Sequence, residues 1–341
     1  MESMVSFIYL SQEDVLATGV DMPKVMGIVE KVLALHDEGK VVLPSKVILD
    51  LGERERGRIN AMPAYLGGEF ELCGMKWIAG FPPNPVKHGI PRAHALTILN
   101  SADTGVPLAV MDGTYISAMR TGAVTGVGAK YLANSDSEVL GIIGCGVQAK
   151  TQVMAIKVAL PSVKRLKGYD IRSESRERFA EWVSQELGIE AEAVGSAREA
   201  VEGSDVVVTV TVADEPIVKD KWLKKGALLV HVGSYQEEEE EVILNADKVV
   251  VDLWREVLHR GTPLLARLYN AGRIKDERIH ADIGEIIRGK KQGRTSKEER
   301  IFFSPLGLGS EDVGVAGFVY EEAKRKGLGV TLKLWEKPKI L

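Results

Sequence analysis

The stretch Glu138–Gln152, EVLGIIGCGVQAKTQ, constrains this chain more than any other. A short apolar run, Val139-Leu140-Gly141-Ile142-Ile143, leads into Gly144-Cys145-Gly146-Val147-Gln148-Ala149, and a helical pattern follows to about Leu160. The spacing G-x-G-x-x-A predicts strand, glycine turn and helix, one form of the dinucleotide-binding fingerprint. Gly144 permits the tight turn, and Gly146 lets a pyrophosphate approach backbone N–H groups. Ala149 lets the helix pack closely on the strand. The helix N-terminus then offers its positive dipole end to phosphates. A second apolar run, Arg165–Tyr169, ends in Asp170, 24 residues after Gly146, near the spacing expected for an acid that accepts from ribose hydroxyls. The expected cofactor-binding residues are therefore Gly144, Gly146, Val147, Gln148 and Asp170. That acid predicts NAD over NADP, because a carboxylate repels a 2′-phosphate. Arg172, two positions on, can bind Asp170 or turn toward a phosphate.

The order of elements around this motif divides the chain. Before Tyr115 the patterns are strand-like with a hairpin turn at Asp103-Thr104-Gly105, after an opening helix in which Val25, Ile28, Val29, Val32 and Leu33 share a face. Strands are expected at Lys46–Asp50 and Arg58–Met62 about a charged turn (Glu53–Gly57), and again over Phe70–Ala79, His94–Asn100 and Val106–Met111. A helix rich in small residues runs from Met119 to Leu132. Strand candidates then alternate with helices at Val139–Ile143, Arg165–Tyr169, Ala191–Val194, Val206–Val212, Leu228–Val232 and Lys248–Asp252, the doubly wound pattern. The fold class expected is α/β: a Rossmann doubly wound parallel-sheet domain over residues 118–312, plus an α+β domain of residues 1–117 joined by 313–341. The five acids Glu237–Glu241 read as a solvated helix face. The basic segment from Arg288 to Arg300 reads as a surface loop. Ile301–Ser304 is a last strand, and Ser310-Glu311-Asp312 caps a final helix to about Lys326.

Composition narrows the class. Hydrophobic residues are 45% and charged residues 27% of the 341 residues, and the net charge is −4. That balance is an ordinary soluble globular one, and the net charge argues against a nucleic-acid surface. No apolar run approaches the ~20 residues of a membrane span. The N-terminal stretch, with Glu2 and a brief apolar run Val5–Leu10, is too acidic and short for a signal peptide. Two cysteines, Cys73 and Cys145, suit a reduced, cytoplasmic setting.

Several segments together resemble the ornithine cyclodeaminase/μ-crystallin family. They are Met62-Pro63-Ala64-Tyr65, Gly74-Met75-Lys76, Thr104–Gly113, Arg120-Thr121-Gly122-Ala123, Ala129–Leu132, Gly144–Ala149 and Ser304–Asp312, in family order across nearly the whole chain. The resemblance implies a homodimer whose first domain binds substrate and pairs the subunits, with the nicotinamide cofactor on the second. It implies hydride exchange between nicotinamide and a carbon bearing nitrogen. The expectation is an NAD-dependent oxidoreductase acting on an amino acid, amine or cyclic imine. Lys76 matches the family lysine beside the reacting carbon, where a lowered pKa would let it shuttle a proton. Arg120 matches the carboxylate-gripping arginine, and Thr121 a cofactor contact. Ser234 is a further expected cofactor residue, and no metal ligands are expected.

This chain departs from the family at four places. Lys46 stands where a second carboxylate-binding arginine is common. Asn60 replaces a glutamate of ornithine cyclodeaminases. Arg92, in Pro91-Arg92-Ala93-His94, adds a cation able to bind an acidic group. Tyr235 occupies the position of a catalytic aspartate, in Gly233-Ser234-Tyr235-Gln236. A tyrosine, with an ordinary pKa near ~10, is a poor base at neutral pH; as the second candidate catalytic residue beside Lys76, Tyr235 would instead hydrogen-bond an amine or stack on an aromatic substrate. Tyr235 and Asn60 therefore count against the second reading, a cyclodeaminase that uses NAD catalytically and releases ammonia. A third reading is a non-catalytic cofactor-binding subunit of an amine-oxidising system, and retention of Lys76 and Arg120 favours an enzyme over it.

Overall fold

The computed structural model describes residues 4–52, 57–213, 215–233 and 236–339. The charged turn expected at Glu53–Gly57 lies largely outside them. Among the described residues the strands are β1 Val5–Leu10, β2 Val41–Val42, β3 Val47–Asp50, β4 Arg58–Leu66, β5 Leu72–Gly80, β6 Ala93–Ser101, β7 Pro107–Asp112, β8 Val139–Ile143, β9 Arg165–Tyr169, β10 Glu190–Ala193, β11 Val206–Thr209, β12 Leu228–His231, β13 Lys248–Val251, β14 Ala281–Asp282, β15 Ile301–Ser304 and β16 Val330–Trp335. The chain divides into two compact units, Met1–Arg120 with Leu308–Leu341, and Thr121–Gly307.

In the first unit β4 to β7 form an antiparallel meander, extended through β1 to β16 at one edge and β2 at the other, with β3 also paired to β4. The pleat sends Met62, Ala64 and Leu66 of β4, with Lys76 and Leu72 of β5, to one buried face. The helix Gly309–Lys326 covers that face, and the helix Met22–Asp37 packs against that helix. Gly309 and Gly317 allow the second helix to approach: an added Cβ would lie 2.6 Å from the Met62 carbonyl oxygen and 2.7 Å from a Leu72 methyl, respectively. The final helix starts at Gly309 with Leu308 as its N-cap residue, so Ser310, read as a cap from sequence, lies inside the first turn.

The second unit is built on a parallel sheet of order β10-β9-β8-β11-β12-β15-β13-β14. The chain leaves β8 toward β9 and β10, then returns to place β11 on the other side of β8. The topological switch point therefore falls between β8 and β11. Every residue of β8, β11, β12 and β15 is buried, as helices on both faces require. Gly141, in the middle of β8, admits the Ala197–Val201 helix, since an added Cβ would be 2.2 Å from the Ala200 carbonyl oxygen. The small residues after Met119 have the same cause. A Cβ on Gly122 would meet Thr151 at 2.4 Å, and one on Gly128 would meet the Phe303 ring at 2.3 Å.

The acidic run is not a solvated helix face. The helix starts only at Glu240, and Glu237 and Glu238 before it are fully buried. Two carboxylates withdrawn from water need partners, which are described below.

Candidate functional site

Lys76 is an interior lysine. Its strand places it on the helix-facing side, and its side chain is 1% exposed. Nζ donates to Asp312 Oδ2 at 2.7 Å and to Ser117 Oγ at 3.1 Å. Arg120, also buried, donates from Nε to Asp312 at 3.2 Å and from Nη1 to Glu311 Oε2 at 2.9 Å. Two cations and two anions thus share a dry site, with no side chain of the four more than 9% exposed. Burial pushes the Lys76 ammonium down, helped by the Arg120 charge, to about 8 despite the pull of Asp312 and Glu311. Burial also opposes charge on Arg120, but Asp312 and Glu311 outweigh it and hold the guanidinium above its usual value. A lysine poised near 8 can exchange a proton at neutral pH, whereas an ordinary one near ~10.4 cannot do so readily.

Asp312 and Glu311 were not singled out as site residues from sequence. They sit 192 and 191 residues from Arg120, in the first turn of the last helix. Adjacent acids there read as helix-dipole partners, and only the packing of that helix onto β5 brings them to Lys76. Of the other expected substrate residues, Lys46 is half-buried just before β3, and Arg92 is exposed just before β6. Asn60 lies two residues before Met62 on β4, on the same face as Lys76, and its carboxamide oxygen is buried with no hydrogen-bond partner.

In the second unit the glycine motif forms the turn that the spacing predicts. Gly144 has φ +95°, the left-handed region, and an added Cβ would meet the Val210 carbonyl oxygen at 2.7 Å. Gly146 precedes the helix Val147–Ala159 without a side-chain cap, and nothing lies within 4 Å of where its Cβ would be. The N–H groups of the first helical turn therefore border open space, with Val147 exposed beside them and Gln148 half-buried. Ala149 is fully buried. Asp170 stands at the end of β9, its Oδ2 accepting from the Cys145 amide at 2.9 Å and its Oδ1 from the Arg172 amide at 3.0 Å. Each oxygen keeps a lone pair for a ribose hydroxyl. The Arg172 side chain is largely exposed, with Nε 3.7 Å from Asp170 Oδ1. An uncapped helix start, open space at Gly146 and a half-satisfied carboxylate at the next strand end fit the pyrophosphate and ribose of a dinucleotide. Burial raises the Cys145 thiol to about 12, so this cysteine is no nucleophile. Thr121 lies half-buried in the helix Thr114–Leu132. Ser234 and Tyr235 lie outside the described residues.

The chain is similar to known proteins along nearly its whole length. Residues 8–327 match the profile of the ornithine cyclodeaminase/mu-crystallin family. The chain is 40% identical to the alanine dehydrogenase of Archaeoglobus fulgidus over 340 residues, 98% of this chain and 99% of that one. The solved structure of Thermococcus litoralis Delta(1)-pyrroline-2-carboxylate reductase, in complex with NADH and L-proline, superposes with TM-score 0.89 at 37% identity, covering 95% and 99% of the two chains. An archaeal alanine dehydrogenase dimer with bound NAD superposes with TM-score 0.87 at 38% identity, covering 97% and 100%.

Proposed function

We infer the function from one premise: the chain belongs to the ornithine cyclodeaminase/mu-crystallin family. Within it, this protein is an NAD-dependent oxidoreductase acting on the carbon–nitrogen bond of an amino acid or cyclic imino acid. The observation that carries this reading is the buried Lys76–Asp312–Arg120–Glu311 cluster, which unites a proton-exchanging lysine with a carboxylate-binding arginine. Alanine dehydrogenase and pyrroline-2-carboxylate reductase, two proteins it resembles over nearly its whole length, support the same reaction class.

The residues divide the work by charge. Arg120 spends its Nε and one Nη1 hydrogen on Asp312 and Glu311, which leaves N–H groups for a substrate carboxylate. Lys76, held near 8, takes a proton from the substrate nitrogen in the oxidative direction and returns it in the reductive one. Asp312 keeps the Lys76 ammonium oriented while the proton moves. Gly144, Gly146, Val147 and Gln148 would hold the pyrophosphate, and Asp170 the ribose of NAD. Arg172, Thr121 and Ser234 are further cofactor contacts, and Lys46, Arg92 and Tyr235 flank the substrate in this reading. The nicotinamide, when bound, accepts or supplies the hydride. Residues of the first unit serve as the substrate-binding and dimerisation domain, and those of the second as the NAD-binding domain. The test is absorbance at 340 nm with NAD and a panel containing L-alanine and L-proline. NADH formation with either supports the reading, and ammonia release without net NADH would move the protein to the cyclodeaminases.

A second copy of the chain completes the assembly. On the sheet face away from the helices, Pro63, Met75, Ile98, Val110 and Tyr9 fall in one row across β4, β5, β6, β7 and β1. Trp77 and Leu96 in the next row are exposed at 39% and 46%. An apolar face of this kind marks a protein interface, and the archaeal alanine dehydrogenase is a dimer. Light scattering that gave the 37.2 kDa mass of one chain would refute the dimer. Among the described residues no helix is long and apolar enough to cross a membrane. Free thiols at Cys73 and Cys145 support a cytoplasmic location.

A further inference from the structure

The parallel sheet carries a second buried ionic cluster that the chemistry above leaves unused. His231 ends β12, and Glu237 and Glu238 follow the next turn; their exposures are 3%, 0% and 0%. His231 Nδ1 lies 2.8 Å from Glu238 Oε2 and 3.4 Å from Glu237 Oε2. The other carboxylate oxygens are held from the neighbouring strand. Thr209 Oγ1 donates to Glu238 Oε1 at 2.7 Å. The Thr211 amide and hydroxyl donate to Glu237 Oε1 at 2.6 and 2.5 Å. Gly233 packs on the same group: an added Cβ would lie 1.9 Å from Glu237 Oε2. Beyond the turn, Glu237 and Glu239 exchange backbone hydrogen bonds with Val218. The Phe302 ring stacks on the imidazole at 6.2 Å.

These contacts tie the exit of β11 to both sides of the turn after β12. Taking three ionisable groups out of water costs several kcal/mol per ion, so such clusters are weak devices for stability. What this one secures is place. β11 and β12 lie on the far side of the switch point from β9, and ligands of open α/β sheets lie outside the carboxyl ends of the strands there. With phosphates at the β8 turn, the ends of β11 and β12 are the strand ends that would receive the reactive half of the dinucleotide. We propose that His231, Glu237 and Glu238 are positioning residues, a clamp that fixes Gly233 and the described chain on either side of residues 234–235, where the nicotinamide would be received. The proposal rests on the NAD-dependent reading above. Arg260 is the further charge that acts on His231, and it opposes protonation.

The test uses the full-length protein and the variants Glu238→Gln, which keeps shape and removes charge, and Thr209→Val, which removes only one hydroxyl donor. NADH affinity is read by fluorescence titration, and kcat and KM with whichever of L-alanine or L-proline the unmodified protein oxidises. Affinity should stay within about threefold, because phosphates and ribose are held elsewhere, while kcat falls about tenfold or more in Glu238→Gln and less in Thr209→Val. In ¹⁵N-histidine-labelled protein, a downfield, exchange-protected Nδ1 proton should be present in the unmodified chain and lost in Glu238→Gln. Unchanged kcat in a folded Glu238→Gln overturns the clamp; should that variant not fold, unchanged kcat and histidine spectrum in Thr209→Val do so. One equivalent of divalent metal, removable by chelation, would equally overturn it and make the cluster a metal site. An unmodified protein that binds no NADH would instead sink the functional reading itself.

Discussion

Replacing Asp312 by Asn tests the charge logic of the substrate cluster. In the unmodified site Lys76 and Arg120 are matched by Glu311 and Asp312, all buried. The substitution keeps size and shape but leaves one cation in excess, away from water. Arg120 cannot shed its proton, so Lys76 must. Losing an opposite charge at 2.7 Å should lower the Lys76 pKa from about 8 by roughly one to three pH units. Removing one partner of a buried pair costs about 3–5 kcal/mol. Deprotonation of Lys76 relieves part of this, so the lower end applies, a Tm drop of about 6–12 °C at ~2–4 °C per kcal/mol. In the oxidative direction the neutral amine is the active form. The pH profile of kcat/KM, read at 340 nm, should therefore rise through about 8 in the unmodified protein and at distinctly lower pH in the variant. A variant whose profile still rises near 8 would refute the reasoning, because Asp312 would then not set the charge on Lys76.

Other substitutions separate the remaining roles. Lys76→Ala should lose nearly all turnover yet bind NADH normally, while Arg120→Ala should chiefly raise KM; normal turnover in Lys76→Ala would end the proton-shuttle assignment. Asp170→Ala should narrow a preference for NADH over NADPH of about a hundredfold, since a like-charge clash of several kcal/mol with the 2′-phosphate disappears; equal binding of both cofactors by the unmodified protein would show that Arg172 governs the site instead. For His231, Glu238 and then Glu237 outweigh burial and raise the pKa to about 9. Its stabilisation is then complete below the unfolded value near ~6.5 and lost as pH rises through the folded one. Melts between pH 6.5 and 8 should show the decline, and His231→Gln should flatten it. Above about 8 the depressed Lys76 acts in the opposite sense, its penalty easing as pH rises.

The elements whose signals are local were legible. β8 and β9 have the ends that the sequence predicted: β8 is apolar and buried throughout, as an inner parallel strand must be, β9 alternates with Leu166 and Gly168 buried and Arg165 exposed, and Gly144 and Asp170 bound the two runs. The Thr114–Leu132 helix begins earlier than its small-residue run suggests, since the Thr114 and Tyr115 amides donate to the Asp112 carboxylate. β14, two residues long, carries no periodicity to read. The acidic run misled for a physical reason. Five consecutive acids in a chain normally stay hydrated, and nothing local reveals that His231, Thr209 and Thr211 await the first two.

The substrate cluster shows what a list of single residues misses. Lys76 and Arg120 were legible as cations, and cations alone suggest an anionic ligand. The fold supplies their counter-charges from the last helix, so the four groups sum to no net charge while Lys76 is protonated. A buried neutral site resists any ligand that brings net charge without its own compensation. A zwitterionic amino acid, or an imino acid with a protonated nitrogen, adds a carboxylate to Arg120 and a cationic nitrogen near the acids without upsetting the balance. A keto acid or a simple amine adds one charge only. The pairing that hid Asp312 and Glu311 from sequence is therefore also the feature that would favour substrates carrying both groups on one carbon.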